Sequence, residues 1–242
     1  MYEVGHAGGF VTRQMWRRRG TAALYAASAV LLAVAAAVSF AGAVLSGTRA
    51  LQVVAAVAGA AAAAGCALVW TRSSRFLRQA RRAAVGARSE REVRTAVRRT
   101  GSVAAAYGLV LGGRGGDCDV VVFTRGCGAA AVEVKTGHGE VVAGEGRLRV
   151  GRRVLHGDPV RQAANQARQL SRKLNGGTVQ AVVCVPGMSN RPFSTRPSKN
   201  GAEVWVCSAR DLKAVLDRAT RVFDSAAEAE AAMRRLWDAN PA

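Results

Sequence analysis

The sequence predicts an α/β domain with a mixed central sheet flanked by helices, preceded by an N-terminal pair of hydrophobic helices. Two uncharged runs near the N-terminus, residues 21–45 and 50–70, predict the helical pair. After them, short apolar runs bounded by glycine are interspersed with longer segments of helical periodicity, in the order helix, several strands, helix, strand, strand, helix, helix. This order is typical of a mixed sheet with helices packed against it.

The two uncharged runs read "TAALYAASAVLLAVAAAVSFAGAVL" and "ALQVVAAVAGAAAAAGCALVW" and are joined by "SGTR". Each has the roughly 20 residues that a helix needs to cross a bilayer. We therefore expect two transmembrane helices. The alternatives are a buried helical hairpin of a soluble protein and a signal peptide cleaved near "AGA" at 41–43. Both runs exceed the usual length of a globular helix, and the first exceeds the apolar region of a signal peptide.

Arginines on both sides of the helical pair predict its orientation. The flanking arginines are Arg13, Arg17, Arg18 and Arg19 before the first run and Arg72, Arg75, Arg78, Arg81 and Arg82 after the second. The connecting loop contains only Arg49. By the positive-inside rule both ends are cytoplasmic, which indicates a multi-pass protein of the inner (cytoplasmic) membrane. The predicted organisation is a cytoplasmic segment 1–20, a basic juxtamembrane connector 71–85 and a cytoplasmic domain 86–242.

The overall charge indicates an anionic partner. The formal net charge is +19, and most of the excess follows the second apolar run. A basic domain attracts polyanions, so nucleic acid and the anionic face of a lipid bilayer are both expected partners. The five cysteines are dispersed and form no Cys-x-x-Cys pair, which argues against disulfides and zinc; His6, His138 and His156 are equally scattered.

The first predicted elements of the domain are a helix and two strands. The segment "TRSSRFLRQARRAAVGARSEREVRTAVRR" has helical spacing, and we expect Gly86 to separate the connector from a new helix that begins near Ser89. Glu90 and Glu92 then lie in its first turn, where the helix dipole favours acids. A weak apolar run at 103–111 and "GGRGG" lead to two predicted strands, "CDVVVF" and "AAAVEVK", joined by the five-residue turn "TRGCG".

The clearest helix in the domain is "GDPVRQAANQARQLSRKLNGG". Asp158 is a suitable N-cap, Pro159 fits the first helical position, and Asn175 with Gly176 predicts the end. Before this helix, "GEVVAG", "RLRVG" and "RRVLHG" predict a small meander. After it, "TVQAVVCVPG" and "AEVWVCS" predict strands.

Two final helices follow the last predicted strand. Ser208 with Asp211, and Ser225 with Glu228, resemble capping boxes at their starts.

Three charged residues interrupt the predicted hairpin. Asp119 lies seven residues before the centre of the turn and Glu133 seven after, so the two face one another across an antiparallel pair. Because side chains alternate along a strand, Lys135 emerges on the same face as Glu133. Two opposed carboxylates with a lysine suit Mg²⁺ or Mn²⁺ and phosphodiester hydrolysis. The alternative is structural, because Asp is common before strands and Glu-x-Lys is a frequent surface alternation.

The run "GDCDVVVF" followed by "AAAVEVKTGHGEV" resembles the nuclease-related domain (NERD) family, a branch of the PD-(D/E)xK nuclease superfamily. The family pattern is Gly-Asp-x-Asp, a hydrophobic strand, then an acid-x-Lys and a glycine. "GARSERE" resembles the opening Gly-x-x-Gly-Glu helix of the family, with Ser89 in place of the second glycine, and "DPVRQ" resembles its Pro-x-x-Gln helix start. The resemblance covers residues 86–186 and implies a restriction-endonuclease-like fold.

The resemblance also implies roles for individual residues. Asp119, Glu133 and Glu90 would bind the metal, Lys135 would act on water and phosphate, and Gln162 would support the site. The resemblance therefore implies a metal-dependent nuclease acting on DNA.

Three further positions qualify the resemblance. Asp117 matches the first acid of Gly-Asp-x-Asp and is a second candidate contributor. Family members often have an aromatic-rich segment and a histidine where this chain has Val120, and a larger residue at the position of Gly137. Neither change removes a group that the chemistry needs.

Two other functions are compatible with the sequence. One is a catalytically inactive module that binds nucleic acid or serves as a scaffold at the cytoplasmic membrane face. The other is a structural membrane protein with basic, lipid-facing helices, which leaves Asp119, Glu133 and Lys135 unexplained.

Overall fold

A computed structural model describes residues 1–5, 9–45, 48–111, 117–144, 147–197 and 201–240. His6, the first half of the loop "SGTR" and the "GGRGG" segment lie outside the described residues. The chain forms two compact units. One comprises Met1–Gly9 together with Val85–Ala242, and the other is Phe10–Ala84.

The helices and strands have the following bounds. The helices are α1 (Gly9–Leu45), α2 (Arg49–Arg99), α3 (Pro159–Lys173), α4 (Leu212–Leu216) and α5 (Ala226–Asp238). The strands are β1 (Tyr2–Gly5), β2 (Ala104–Val110), β3 (Asp117–Phe123), β4 (Ala129–Val134), β5 (His138–Gly139), β6 (Val141–Gly144), β7 (Arg147–Val150), β8 (Arg153–Val154), β9 (Val179–Cys184), β10 (Gly187–Met188), β11 (Phe193–Thr195) and β12 (Val204–Cys207).

The unit Phe10–Ala84 is a helical pair. Ser73 Oγ donates a hydrogen bond to the carbonyl oxygen of Ala22 at 3.0 Å, and the rings of Tyr25 and Phe76 stack with centroids 5.7 Å apart. Met15–Gly42 and Gln52–Arg99 are long and apolar enough to cross a membrane, and the most apolar 18 residues of each have a mean hydropathy of 2.1. Their most apolar windows are only 6 % and 0 % buried, so they are not the buried core of the described chain.

The structure corrects the predicted start of the next helix. We expected a helix to begin near Gly86 or Ser89, but α2 continues through both residues to Arg99. An isolated glycine costs a helix only about 1 kcal/mol relative to alanine, so it does not break a helix that is stabilised on both sides.

The larger unit contains a seven-stranded mixed sheet, as the sequence predicts. The strand order is β1-β2-β3-β4-β9-β12-β11. The pairs β1–β2, β4–β9 and β9–β12 are parallel, whereas β2–β3, β3–β4 and β11–β12 are antiparallel. A three-stranded antiparallel sheet, β6-β7-β8, forms the predicted meander between β4 and α3.

Strand β1 was not anticipated from the sequence. It pairs in parallel with β2 at the sheet edge, although nearly a hundred residues separate the two strands. Glu3 accepts from Arg94 Nε at 2.5 Å and from Arg98 Nη2 at 2.8 Å, which holds the strand against α2. Gly5 has φ +79°, and a Cβ there would collide with the carbonyl oxygen of Tyr107. The extreme N-terminus is therefore part of the folded domain.

Helices cover both faces of the large sheet. One face packs against α3 and α5 through Phe123, Leu170 and Met233, and the other packs against α2 and α4 through Val97 and Leu216. Helix α3 begins as predicted, because Asp158 Oδ1 accepts from the amide of Arg161 at 2.9 Å. This helix crosses the sheet beneath β4 and positions the residues described next.

The final helices partly match their predicted starts. In α5, Ser225 caps the amide of Glu228 at 3.2 Å as predicted. Ser208 Oγ accepts from the amide of Asp211 at 3.3 Å, as the predicted capping box requires, but helix α4 itself begins at Leu212 with Asp211 at the N-cap.

A candidate active site at the end of the β3–β4 hairpin

The hairpin has the register that the turn length predicts. Strand β3 ends at Phe123, β4 begins at Ala129, and the ladder runs from the pair Phe123↔Ala129 to Val120↔Val132. Continuing that register by one residue places Asp119 opposite Glu133. The two carboxyl groups therefore stand at the open end of the hairpin, away from its turn.

Glu133 is an ionisable residue in an otherwise apolar strand. Its side chain is 2 % exposed. Lys135 Nζ donates to Glu133 Oε1 at 2.5 Å, and Gln166 Nε2 donates to Glu133 Oε2 at 2.8 Å. Both oxygens are satisfied, which is how a folded protein tolerates a buried charge. The predicted shared face of Glu133 and Lys135 is present as a direct ion pair.

Asp119 is less well compensated. It is half-buried, and its Oδ2 accepts from the backbone amide of Val134 at 2.7 Å. Burial, repulsion from Glu133 and repulsion from Glu90 raise the pKa of Asp119 from 3.8 to about 8, against the opposing effects of that amide and Lys135. The Val134 amide and the Lys135 ammonium therefore do not offset the burial and repulsion that act on the Asp119 carboxyl group.

Glu90 reaches this region from α2. Its charge acts on Asp119, so the structure brings the predicted third acid into electrostatic range of the hairpin. One residue before it, Ser89 Oγ donates to Thr136 Oγ1 at 3.3 Å, which links α2 to the segment after Lys135. Helix α2 and strand β4 thus meet at the site.

Helix α3 contributes two glutamines. The predicted Gln162 lies beside Lys135, with its Oε1 3.4 Å from Lys135 Nζ. Gln166, one turn later, was missed by the sequence analysis. Its Nε2 bridges Glu133 and the carbonyl oxygen of Asp117, and the residue is fully buried. Residues four apart share one helix face, so the position of Gln162 could have identified Gln166.

The structure locates two of the three positions that qualify the resemblance, Asp117 and Gly137. The side chain of Asp117 is exposed, and the residue contributes its carbonyl oxygen to Gln166, so a contribution by its carboxylate remains a prediction. A Cβ at Gly137 would lie 2.9 Å from Val150 Cγ2 and 3.2 Å from Val185 Cγ1. Close packing beneath the site thus accounts for glycine where the family often has a larger residue.

The donor set fits a hard divalent cation with few protein ligands. Mg²⁺ typically takes one or two carboxylates and fills its shell with water and substrate phosphate. Asp119 Oδ1 accepts no hydrogen bond from the described residues, and Glu133 lies opposite it. No cluster of three or more His, Cys, Asp or Glu is positioned for a metal within the described ranges. Asp119 and Glu133 would therefore be the protein ligands, with Glu90 close by.

The raised pKa of Asp119 predicts a pH-dependent stability in the absence of divalent cations. Between about pH 4 and about pH 8 the folded state holds a proton that the unfolded state has lost, so the free energy of unfolding falls as pH rises through this window. Asp119→Asn should remove most of this dependence. Urea denaturation in chelator across the window tests it, with Asp117→Asn as the matched control. Equal slopes for the wild type and Asp119→Asn would contradict the assignment.

Comparison with known proteins supports the resemblance found from the motifs. Residues 85–186 match the family model described as nuclease-related domain. No curated protein and no solved structure matches the chain. The matched segment includes all five candidate site residues, and its bounds agree with the predicted 86–186. The prediction of the family is therefore confirmed for this segment.

Proposed function

We propose that the nuclease-related segment hydrolyses DNA phosphodiester bonds in a reaction that depends on Mg²⁺ or Mn²⁺, and that the apolar helices anchor it to the cytoplasmic face of the membrane. The observation that carries the proposal is the opposed pair Asp119 and Glu133 with Lys135 at the end of the hairpin. Acids directly opposite one another destabilise a strand pair. Proteins tend to keep such unfavourable arrangements at functional sites. Membership of the PD-(D/E)xK superfamily is part of the same proposal.

Each residue then has a defined task. Asp119 and Glu133 would hold the cation, which supplies Lewis-acid polarisation of the phosphoryl group and a bound water of lowered pKa. Lys135 places an ammonium beside them, where it orients the attacking water and balances the negative charge that develops on the phosphate. Gln162 contacts the ammonium of Lys135, and Gln166 holds the carboxylate of Glu133 in place. Glu90 adds a third acid whose charge favours cation binding.

A catalytically inactive module that binds nucleic acid is the second candidate. The observation in its favour is that both oxygens of Glu133 already have partners within the protein. A cation would have to share Oε1 with Lys135. In an inactive module the same contacts would serve only to stabilise the fold.

The sheet supports the proposed membrane topology. Strand β1 and the strands after residue 100 belong to one sheet, so the N-terminus and the domain must be on the same side of any membrane that the chain crosses. That requires an even number of crossings between them, which two spans satisfy. By the positive-inside rule, the arginines at both ends of the helical pair favour the cytoplasm for that side.

Fusion reporters test this topology. We expect reporters placed before Met1 and after Ala242 both to report the cytoplasm, and a reporter inserted in the loop near Arg49 to report the opposite side. A C-terminal reporter on the outer side would contradict the orientation and remove the access to cytoplasmic DNA.

Divalent-ion dependence tests the proposed reaction. Because β1 is part of the domain, the full-length protein in neutral lipid nanodiscs is the appropriate sample. We expect cleavage of single-stranded, duplex or supercoiled DNA with Mg²⁺ or Mn²⁺ and none in chelator. A folded protein that cleaves none of these substrates would refute the proposal and favour the binding module.

A further inference from the structure

In the sequence, the three-stranded sheet β6-β7-β8 comes between two parts of the candidate site, Lys135 and helix α3. The chain leaves the site at Lys135, builds this sheet, and returns at Gln162 on α3. Leu148, Val150 and Leu155 are buried in the core that α3 shares, and β7 contacts α3. The small sheet is therefore packed against the helix that positions Gln162 and Gln166.

An open groove of about 700 Å³ lies between this sheet and the start of α3. Its lining includes Arg147, Arg153, His156 and Arg161, all exposed. Asp158 is the acid among the lining residues, and its charge is offset by Arg161, which forms an ion pair with it at 3.4 Å and donates its amide to the same carboxylate. Arg147 and Arg153 form no ion pair within the described part of the chain. Among the described residues that line the groove, Asp158 is the only acid, so it leaves the charges of Arg147 and Arg153 uncompensated there.

A second groove of the domain differs in this respect. It has a volume of about 550 Å³ and lies between α2 and α4. Glu92 adds a negative charge to its lining, and two of its three cations, Arg210 and Lys213, form ion pairs with Asp211 and Asp217. The third cation is Arg99. As far as the structure describes it, the lining of the groove beside α3 has two unpaired arginines and a single acid that is already paired, and this groove adjoins Gln162 of the candidate site.

We propose that the groove formed by Arg147, Arg153, His156 and Arg161 binds the phosphate backbone of the DNA strand that enters the carboxylate site. This inference rests on the proposed function, because it identifies how that site would hold its substrate. Arg161 directly precedes Gln162, which contacts Lys135. A DNA backbone bound in the groove would therefore be directed toward the ammonium of Lys135. Arginine suits this role because its planar group forms paired hydrogen bonds with phosphate. Contacts of this kind bind without reading sequence.

Binding without turnover tests the groove. Fluorescence anisotropy with labelled single-stranded and duplex DNA is measured on the full-length protein in phosphatidylcholine nanodiscs with chelator present. Arg147→Ala/Arg153→Ala should weaken duplex binding roughly 50-fold at about 0.1 M salt and reduce the salt slope by about 2. The matched control is Arg99→Ala/Arg125→Ala, which removes two exposed arginines elsewhere. It should keep the wild-type slope and an affinity within about threefold of the wild type.

A small substrate separates the groove from the chemistry. Bis(p-nitrophenyl) phosphate has no nucleic-acid backbone to occupy the groove. Arg147→Ala/Arg153→Ala should therefore still hydrolyse this substrate while losing DNA cleavage. The inference is overturned if this variant binds DNA as the wild type does, if the wild type binds no DNA, or if the variant loses only binding to phosphatidylserine vesicles. A wild type that binds DNA through this groove without cleaving it supports the groove and refutes only hydrolysis.

Discussion

Lys135→Ala should reduce metal-dependent DNA cleavage about 10²- to 10³-fold, the usual effect of removing one group that stabilises charge in a transition state. The ammonium forms an ion pair with the carboxylate of Glu133, at 2.5 Å from Oε1. DNA affinity should change little, because the proposed backbone contacts come from Arg147 and Arg153. Single-turnover cleavage and anisotropy, measured on the same preparation, separate the two effects.

The structure changes what this substitution should do to stability. From the sequence, loss of a lysine at the edge of the site would leave folding nearly intact. In the structure Lys135 compensates the buried Glu133, so its removal should cost roughly 2–3 kcal/mol, somewhat less than the loss of a fully buried partner. The double variant Glu133→Gln/Lys135→Ala should recover much of that stability and none of the activity. Recovery of activity with stability would contradict a chemical role for Lys135.

Asp119→Asn should have opposite effects on activity and stability. Burial and repulsion from Glu133 and Glu90 make the wild type take up a proton at Asp119 when it folds near neutral pH, and the neutral amide avoids that cost, so the metal-free variant should be more stable there. The same change weakens the cation site, and turnover should fall by about 10³-fold or more at limiting Mg²⁺. Addition of Mg²⁺ should stabilise the wild type through binding to the folded state and should leave Asp119→Asn unaffected.

Glu133→Gln is the informative companion to Asp119→Asn. It should also abolish turnover, but it removes the counter-charge of Lys135 and should not stabilise the protein. Urea denaturation with and without Mg²⁺, together with cleavage rates, distinguishes the three proteins. If Asp119→Asn proved both less stable and still active, the carboxylate pair would be a structural feature.

The site could be predicted from the sequence where local rules determine geometry. A five-residue turn and the alternation of side chains were enough to place Asp119 opposite Glu133 and Lys135 beside Glu133. The N-cap of α3 followed from Asp158 and Pro159 for the same reason. These features depend on residues close together in the sequence.

Features that depend on long-range packing were missed. Strand β1 has four residues and pairs with a strand almost a hundred residues away, so no local pattern identifies it. Gln166 acquires its role only because α3 packs under β4. The sequence predicts a boundary at Gly86, whereas α2 is continuous from Arg49 to Arg99, because a single glycine costs a long helix only about 1 kcal/mol.

We propose that the opposed acids and Lys135 form a catalytic site. The most direct test is single-turnover cleavage of DNA in Mg²⁺ by the full-length wild type and by Lys135→Ala. Both proteins are first shown to be folded and to bind the DNA with similar affinity. We expect cleavage by the wild type that chelator abolishes and that falls about 10²- to 10³-fold in Lys135→Ala. Wild-type cleavage no faster than that of Lys135→Ala on single-stranded, duplex and supercoiled DNA would contradict it.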